Sequence, residues 1–288
     1  LKLNTFKSFI ELAIPSASVI SAIVATLGAF MTKSFKLYPI ILIGSIFFLS
    51  SCGFNTLNAI ADVKADKISR PSRPLPSFRI SLKDAIKFLI FLYLLCFLLL
   101  ISLTSLWPSK MTIFLIIVDI ILTIFYSIPP RLKNFPLLSN IIVGIHYSTL
   151  PMLAGWSLFK PFYESPFPII LIVTLLASGV NILEDFEDIE GDKLTKTKTL
   201  PVLLGKKFTM MILTSFYLIA LAISILNWLF FYSLYWILII PLEATLIFIS
   251  LKLIDTELNA SIAHKILNKS AIIAIIVSLI LMISSIMT

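Results

Sequence analysis

The sequence predicts an all-α, polytopic membrane protein in which nine transmembrane helices are bundled around a central cavity with a polar cytoplasmic cap. Three observations predict it. Of 288 residues, 59% are hydrophobic and only 13% charged, and the mean hydropathy of +1.04 lies far above that of soluble domains. The apolar residues fall into nine runs, each long enough to cross a hydrocarbon core of about 30 Å as a helix that satisfies its own backbone. The basic residues gather on alternate connections, as they do when Lys and Arg are retained on the cytoplasmic side.

The runs follow in order. Residues 10–31 come after Lys2 and Lys7, but the stretch is too long for a signal peptide and too many similar ones follow, so it is the first span. Residues 38–62 form the second span, which closes on Asn58 and Asp62. The third and fourth are 84–106 and 111–128, the latter with Asp119 inside. The fifth, 137–158, holds His146, and the sixth, 166–187, runs into the acidic stretch NILEDFEDIEGD at 181–192. Residues 208–230, 232–254 with Glu243, and 264–287 beginning at His264 complete the set. Asp119 and Glu243 are costly in lipid unless protonated, paired or open to a cavity. Cys52 and Cys96 fall inside spans, where a thiol behaves as a small apolar group.

With nine spans and a cytoplasmic amino terminus, 19 of the 23 Lys and Arg share one face. Only Lys33, Lys36, Lys110 and Lys160 lie on the other. This accounts for the net charge of +8 without nucleic acid, and a basic rim suits anionic lipid head groups or a phosphorylated substrate.

The acids concentrate on that same face. Asn58, Asp62 and Asp66 are spaced by four and stay on one helical stripe; Asp185, Asp188 and Asp192 follow an i, i+3, i+7 pattern with the same result. Like charges so placed repel, and a hard divalent cation such as Mg²⁺, held by carboxylates, waters and substrate phosphate oxygens, offsets the cost. Any one Asp also reads as a solvated helix end paired to Lys64, Lys67 or Lys193; two such stripes on one face favour the metal. Each stripe is followed by a basic loop. KISRPSRPLPSFR presents Lys67, Arg70, Arg73 and Arg79 on a backbone stiffened by three prolines, and GDKLTKTKTLP presents Lys193, Lys196 and Lys198. Metal-binding acids beside fixed cations match the needs of a departing diphosphate. A third loop, YSIPPRLKNFP, adds Tyr126, Arg131 and Lys133 as another wall of the cap.

These residues resemble a known family. N58-A-I-A-D62-V-K-A-D66 with R70-P-S-R73-P-L-P is similar to the first signature of the UbiA superfamily of intramembrane prenyltransferases. D188-I-E-G-D192 with K198-T is similar to the second, and Tyr126 to Lys133 to its short Tyr…Leu-Lys loop. Within the superfamily, RPSRPLPS and DFEDIEGDK are most similar to the archaeal digeranylgeranylglyceryl phosphate synthases. The chain departs from the family pattern at Ala59, where an Asp is common, at Asn181, where an acid is usual, at Ile14, where a basic residue is common, and at Phe78, where Gly is common.

The resemblance implies a single UbiA-like domain over 1–288. It implies transfer of a geranylgeranyl group from its diphosphate to the hydroxyl of geranylgeranylglyceryl phosphate in archaeal ether lipid synthesis. Two Mg²⁺ ions bridged by diphosphate are expected, one on Asn58, Asp62 and Asp66 and the other on Asp185, Asp188 and Asp192; Asp62, Asp66, Asp188 and Asp192 carry the catalysis. Asn58, Lys67, Arg70, Arg73, Tyr126, Arg131, Lys133 and Lys198 bind substrate. The expected partners are a prenyl diphosphate donor, a lipid-like phosphorylated acceptor and membrane lipids, with no nucleic acid and no obligate protein partner. The expected location is the cell membrane, multi-pass, with the active site facing the cytoplasm. Neither histidine is placed to act as a general base; both read as packing or interfacial residues. An aromatic acceptor is the alternative within the family. A divalent-cation transporter is the alternative outside it, though transport calls for polar groups near the bilayer midplane. A CDP-alcohol phosphotransferase lacks support because its Asp-Gly…Ala-Arg pattern is missing.

Overall fold

A computed structural model of the chain describes residues 3–231, 234–254 and 260–287; Lys2 and the side chain of His264 lie outside the described residues. All regular structure among the described residues is helical. The first apolar run is split into α1 (Leu3–Ala13) and α2 (Pro15–Phe30), which meet at 47°. Proline disfavours α conformation in the residue before it and supplies no N–H, and Ile14 accordingly adopts φ 44° at the joint. The second run is α3 (Leu37–Ala61), followed at once by the short α4 (Val63–Ser69). Next come α5 (Leu82–Leu106) and α6 (Lys110–Ser127), whose first turns are capped by Ser81 and Ser109.

The fifth run is helical throughout but in three abutting pieces: α7 (Leu138–Gly144), a π-helical turn (Ile145–Thr149) and α8 (Leu150–Trp156). Pro151 stands two residues beyond the π turn and disrupts the i→i−4 ladder there. The remainder are α9 (Phe167–Glu184), the short α10 (Ile189–Thr195), α11 (Leu200–Phe231, bent at Gly205), α12 (Leu234–Ile254) and α13 (Ala260–Met287). Seven of the described helices are long and apolar enough to cross a membrane, or eight with the bent α1–α2 pair taken as one span. The difference from the expected nine is the fifth run, whose π turn divides it into pieces each too short to cross alone.

The buried side chains form two large clusters. One joins α9, α11, α12 and α13 to α2 through Ile172, Leu176, Met210, Leu213, Val277 and Leu281. The other joins α3, α5 and α6 to α2 and α8 through Ile43, Ile46, Phe47, Leu103 and Ile116. Helix α2 and the α7–α8 segment stand between them.

Three ionisable residues inside the bundle, Asp119, His146 and Glu243, have hydrogen-bond partners. Asp119 and His146 are both fully buried: His146 Nδ1 lies 2.7 Å from Asp119 Oδ1, Ser50 donates to Asp119 Oδ2 at 2.7 Å, and Ser51 sits 3.0 Å from His146 Nε2. Of the options open to Asp119, pairing is the one adopted. His146 is likewise an interior hydrogen-bonding group, because an ionisable side chain within a span is tolerated only where it faces the bundle and finds a partner. Glu243 is buried and accepts from Ser224 at 2.9 Å. Cys52 and Cys96 are buried free thiols.

Candidate active site

Both acidic stripes end in the same local construction. Each long helix, α3 or α9, stops at an acidic segment and is followed by a seven-residue helix, α4 or α10. Asp62 and Asp188 sit at the head of these short helices in almost the same backbone conformation, φ −96°, ψ 8° and φ −102°, ψ 1°. The short helices pack on each other. Gly191 permits the approach, since a Cβ there would collide with Ser69 Oγ and stand 2.6 Å from the Ala65 carbonyl oxygen. Ser69 Oγ also accepts from the Gly191 N–H at 2.9 Å. The two stripes are therefore neighbours at one end of the bundle.

Basic side chains wire them together. Arg70 reaches across from the first loop to Asp188, with Nε 2.8 Å from Oδ1 and Nη2 donating to Oδ2 at 3.0 Å, and touches Glu184 at 3.4 Å and Glu187 at 3.5 Å. Arg73 grips both oxygens of Asp66, at 3.1 and 2.9 Å. Arg131 and Lys133 both donate to Asp62, and Lys133 lies 3.9 Å from Asp192 Oδ1, so it joins the stripes from a third side. Arg131 has a left-handed backbone, φ 54°, and follows the cis Pro129–Pro130 bond. Thr199 donates to the other oxygen of Asp192 at 3.1 Å, and Asn140 donates to Asp185 at 2.8 Å and to Asn181 at 2.9 Å.

Burial acts on these charges in opposite senses. It pushes the Asp188 carboxyl up to about 6 despite the nearby Arg70, and it also raises Asp192. Burial works against the charge of Lys133 and Arg70 too. There, however, the surrounding carboxylates, Asp62 foremost for Lys133 and Glu184 for Arg70, outweigh it and hold both above their ordinary values. Among the described residues no three His, Cys, Asp or Glu side chains stand ready to hold a metal as they are; Asp62, Asp66 and Asp188 are engaged by cations and Asp185 by Asn140. The donor set still fits a hard ion. It is all oxygen, and Asn58 Oδ1 is buried at the cavity wall with no hydrogen-bond partner.

Two cavities meet at this end. A polar one of about 80 Å³ is lined by Asn58, Asp66, Arg73, Tyr126, Lys133, Asp185 and Asp188, with Glu11 and Leu12 of α1 beside them. An apolar one of about 210 Å³ runs between α2, α9 and α13 past Val24, Val173, Ala274 and Met282. Ile14, Asn55, Val143, Tyr147, Asn181 and Glu184 belong to both walls. At this junction Tyr147 donates to Asn55 Oδ1 at 3.0 Å, and Asn55 donates to the Ala13 carbonyl at 3.2 Å, which ties α1 to α3.

Of the residues singled out in the sequence, Asn58, Asp62, Asp66, Arg70, Arg73, Tyr126, Arg131, Lys133, Asp185, Asp188 and Asp192 come together here. Lys67 and Lys198 do not. Both are exposed, and Lys67 lies over the ring of Phe78 at 5.5 Å. The backbone at Phe78 explains why Gly suits that place, since φ is 57°. Sequence reasoning missed Asn140, Glu184, Asn55 and Tyr147. The available signal was a polar group inside an apolar run: Asn55 lies three residues before Asn58 on the same face of α3, and Asn140 is a lone amide in the fifth run.

The UbiA prenyltransferase family model matches residues 18–284. Digeranylgeranylglyceryl phosphate synthase of Methanocaldococcus jannaschii is 27% identical over 298 aligned positions, covering 97% of this chain and 95% of that one. The enzyme of the same name from Methanococcus maripaludis is 30% identical over 81% of both chains. In structure, a UbiA homolog from Archaeoglobus fulgidus bound to DMAPP and Mg²⁺ superposes with a TM-score of 0.73 at 20% identity, over 98% of this chain and 99% of that one. A structure of digeranylgeranylglyceryl phosphate synthase in membranes gives 0.70 at 24% identity, over 99% and 100%.

Proposed function

Because the chain belongs to the UbiA prenyltransferase family, we propose that it transfers a geranylgeranyl group from geranylgeranyl diphosphate to the free hydroxyl of geranylgeranylglyceryl phosphate. The observation that carries this reading is the junction of the two cavities: a wall of acids and cations that suits a diphosphate opens directly onto an apolar space that suits an isoprenoid tail. The acceptor follows from the relatives that share this name along most of the chain.

Two Mg²⁺ ions would be held by Asn58, Asp62 and Asp66 and by Asp185, Asp188 and Asp192. When bound they supply Lewis-acid neutralisation of diphosphate charge. The chain's own residues do the rest. Arg73 and Lys133, which line the cavity, and Arg70 and Arg131, paired to the acids beside it, would stabilise the charge that builds on the leaving group. Tyr126 closes the wall beside Lys133. The C1–O bond of the donor breaks, diphosphate departs, the acceptor oxygen bonds to C1, and its proton passes to diphosphate or water. The apolar wall beyond Tyr147 keeps water from the allylic carbon.

The same reading gives the fold nine spans, with the π-broken α7–α8 segment as the fifth, in a cell membrane with the polar end on the cytoplasmic side. The crowding of basic residues at that end supports the orientation. The test is to incubate the purified protein with geranylgeranyl diphosphate, Mg²⁺ and either geranylgeranylglyceryl phosphate or 4-hydroxybenzoate, with products identified by mass. The diether phosphate is expected; a prenylated benzoate alone would replace the acceptor assignment.

A further inference from the structure

We propose that Asn140 is a positioning residue of this site: its amide fixes which oxygen of Asp185 is left for a metal ion and turns Asn181 into a hydrogen-bond donor facing the substrate. The proposal deepens the prenyl-transfer reading above and rests on it.

Asn140 is fully buried on α7. Its Nδ2 stands 2.8 Å from Asp185 Oδ2 and 2.9 Å from Asn181 Oδ1. Both contacts are made by Nδ2, so the NH₂ of Asn140 is the group that faces Asp185. The second hydrogen of that NH₂ then demands an acceptor, which fixes Asn181 with Oδ1 toward Asn140. The Nδ2 of Asn181 is thereby turned away, 3.4 Å from Glu184 Oε2 and into the wall shared by the polar and apolar cavities. One amide thus sets two neighbours: Asp185 has Oδ2 engaged and Oδ1 the freer for another partner, and Asn181 presents N–H rather than oxygen where the diphosphate would join the tail.

Close helix packing makes the arrangement rigid. Gly144, one turn along α7, lies against α9, where a Cβ would collide with Ser178 Oγ and come within 2.8 Å of the Thr174 carbonyl oxygen. Asn140 Oδ1 is buried without a hydrogen-bond partner. A buried polar atom left unsatisfied is costly, whereas both contacts of the amide are made from Nδ2. The donor side of the amide is what the position uses.

The test uses the full chain in detergent, with inorganic pyrophosphate and Mg²⁺ as probes and thermal stabilisation as the readout, alongside kcat and KM for the donor. Asn140→Leu keeps the size and removes the donor. It is expected to need about tenfold more Mg²⁺ for half-maximal stabilisation in the presence of pyrophosphate, in the range seen for residues that support metal ligands. In an Asp185→Asn background the same substitution should add little, because Asn140 acts through Asp185. Should Asn140→Leu fail to fold, Asn140→Ala, which also removes the donor, is read in the same assay with the same expectation. A Mg²⁺ requirement within twofold of wild type, or an equal loss with and without Asp185, overturns the role of Asn140. A wild-type protein that Mg²⁺ and pyrophosphate do not stabilise overturns the prenyl diphosphate reading beneath it.

Discussion

Asp62 and Asp188 occupy matching backbone positions at the heads of α4 and α10, and each is held by cations from other segments. Replacing either with Ala is expected to lower Mg²⁺-dependent prenyl transfer by at least about a thousandfold, a loss of roughly 4 kcal/mol in transition-state stabilisation, while the protein still elutes as a folded species in detergent. Full turnover in both variants would remove the metal assignment. The raised Asp188 carboxyl gives a pH signature. Below about 6 the native protein holds a proton there, and a metal ion must displace it. The Mg²⁺ concentration for half-maximal activity should therefore climb by up to about tenfold per pH unit below about 6; a flat dependence from there down to about pH 5 would exclude Asp188 as a ligand. These acids were legible because carboxylates at helical spacing beside Arg and Pro stand out in an apolar chain. Asn140 and Glu184 were not, since their parts depend on which helix lies alongside.

At the scale of elements, the contact between α4 and α10 fixes the distance between the two acidic turns. Gly191→Val would drive a side chain into Ser69 and the Ala65 carbonyl. Overpacking of this kind costs typically about 1–3 kcal/mol, and the variant should lose activity well beyond its loss in melting temperature, because the turns are pushed apart. Activity equal to wild type would show that their spacing is not critical. Length and hydropathy marked most spans to within a few residues, as with α3 against 38–62 and α6 against 111–128. They did not reveal the joint at Ile14 or the π turn at Ile145–Thr149. Hydropathy averages over a run, whereas a break is set by single residues, here Pro15 and Pro151, acting on the backbone. The exposure of Lys67 and Lys198 was hidden for a related reason: a basic loop residue belongs to a site only if the loop folds inward.

For the whole molecule, the apolar cavity between α2, α9 and α13 is expected to set what tail can enter. Ala274 on α13 lines it. Ala274→Phe should raise KM for geranylgeranyl diphosphate by about tenfold or more, while dimethylallyl diphosphate, whose short tail stops near Tyr147, is used as before; equal effects on both donors would place the tail elsewhere. The polar end has a separate consequence. Its carboxylates already carry counter-ions from their own chain, Arg73 on Asp66, Arg131 and Lys133 on Asp62, and Arg70 on Asp188. Stripping divalent ions with a chelator should thus silence the enzyme yet leave its architecture standing, with a cooperative melt and full recovery on adding magnesium back. Such a protein would wait for its substrate without unravelling, because arginine and lysine already balance those carboxylates.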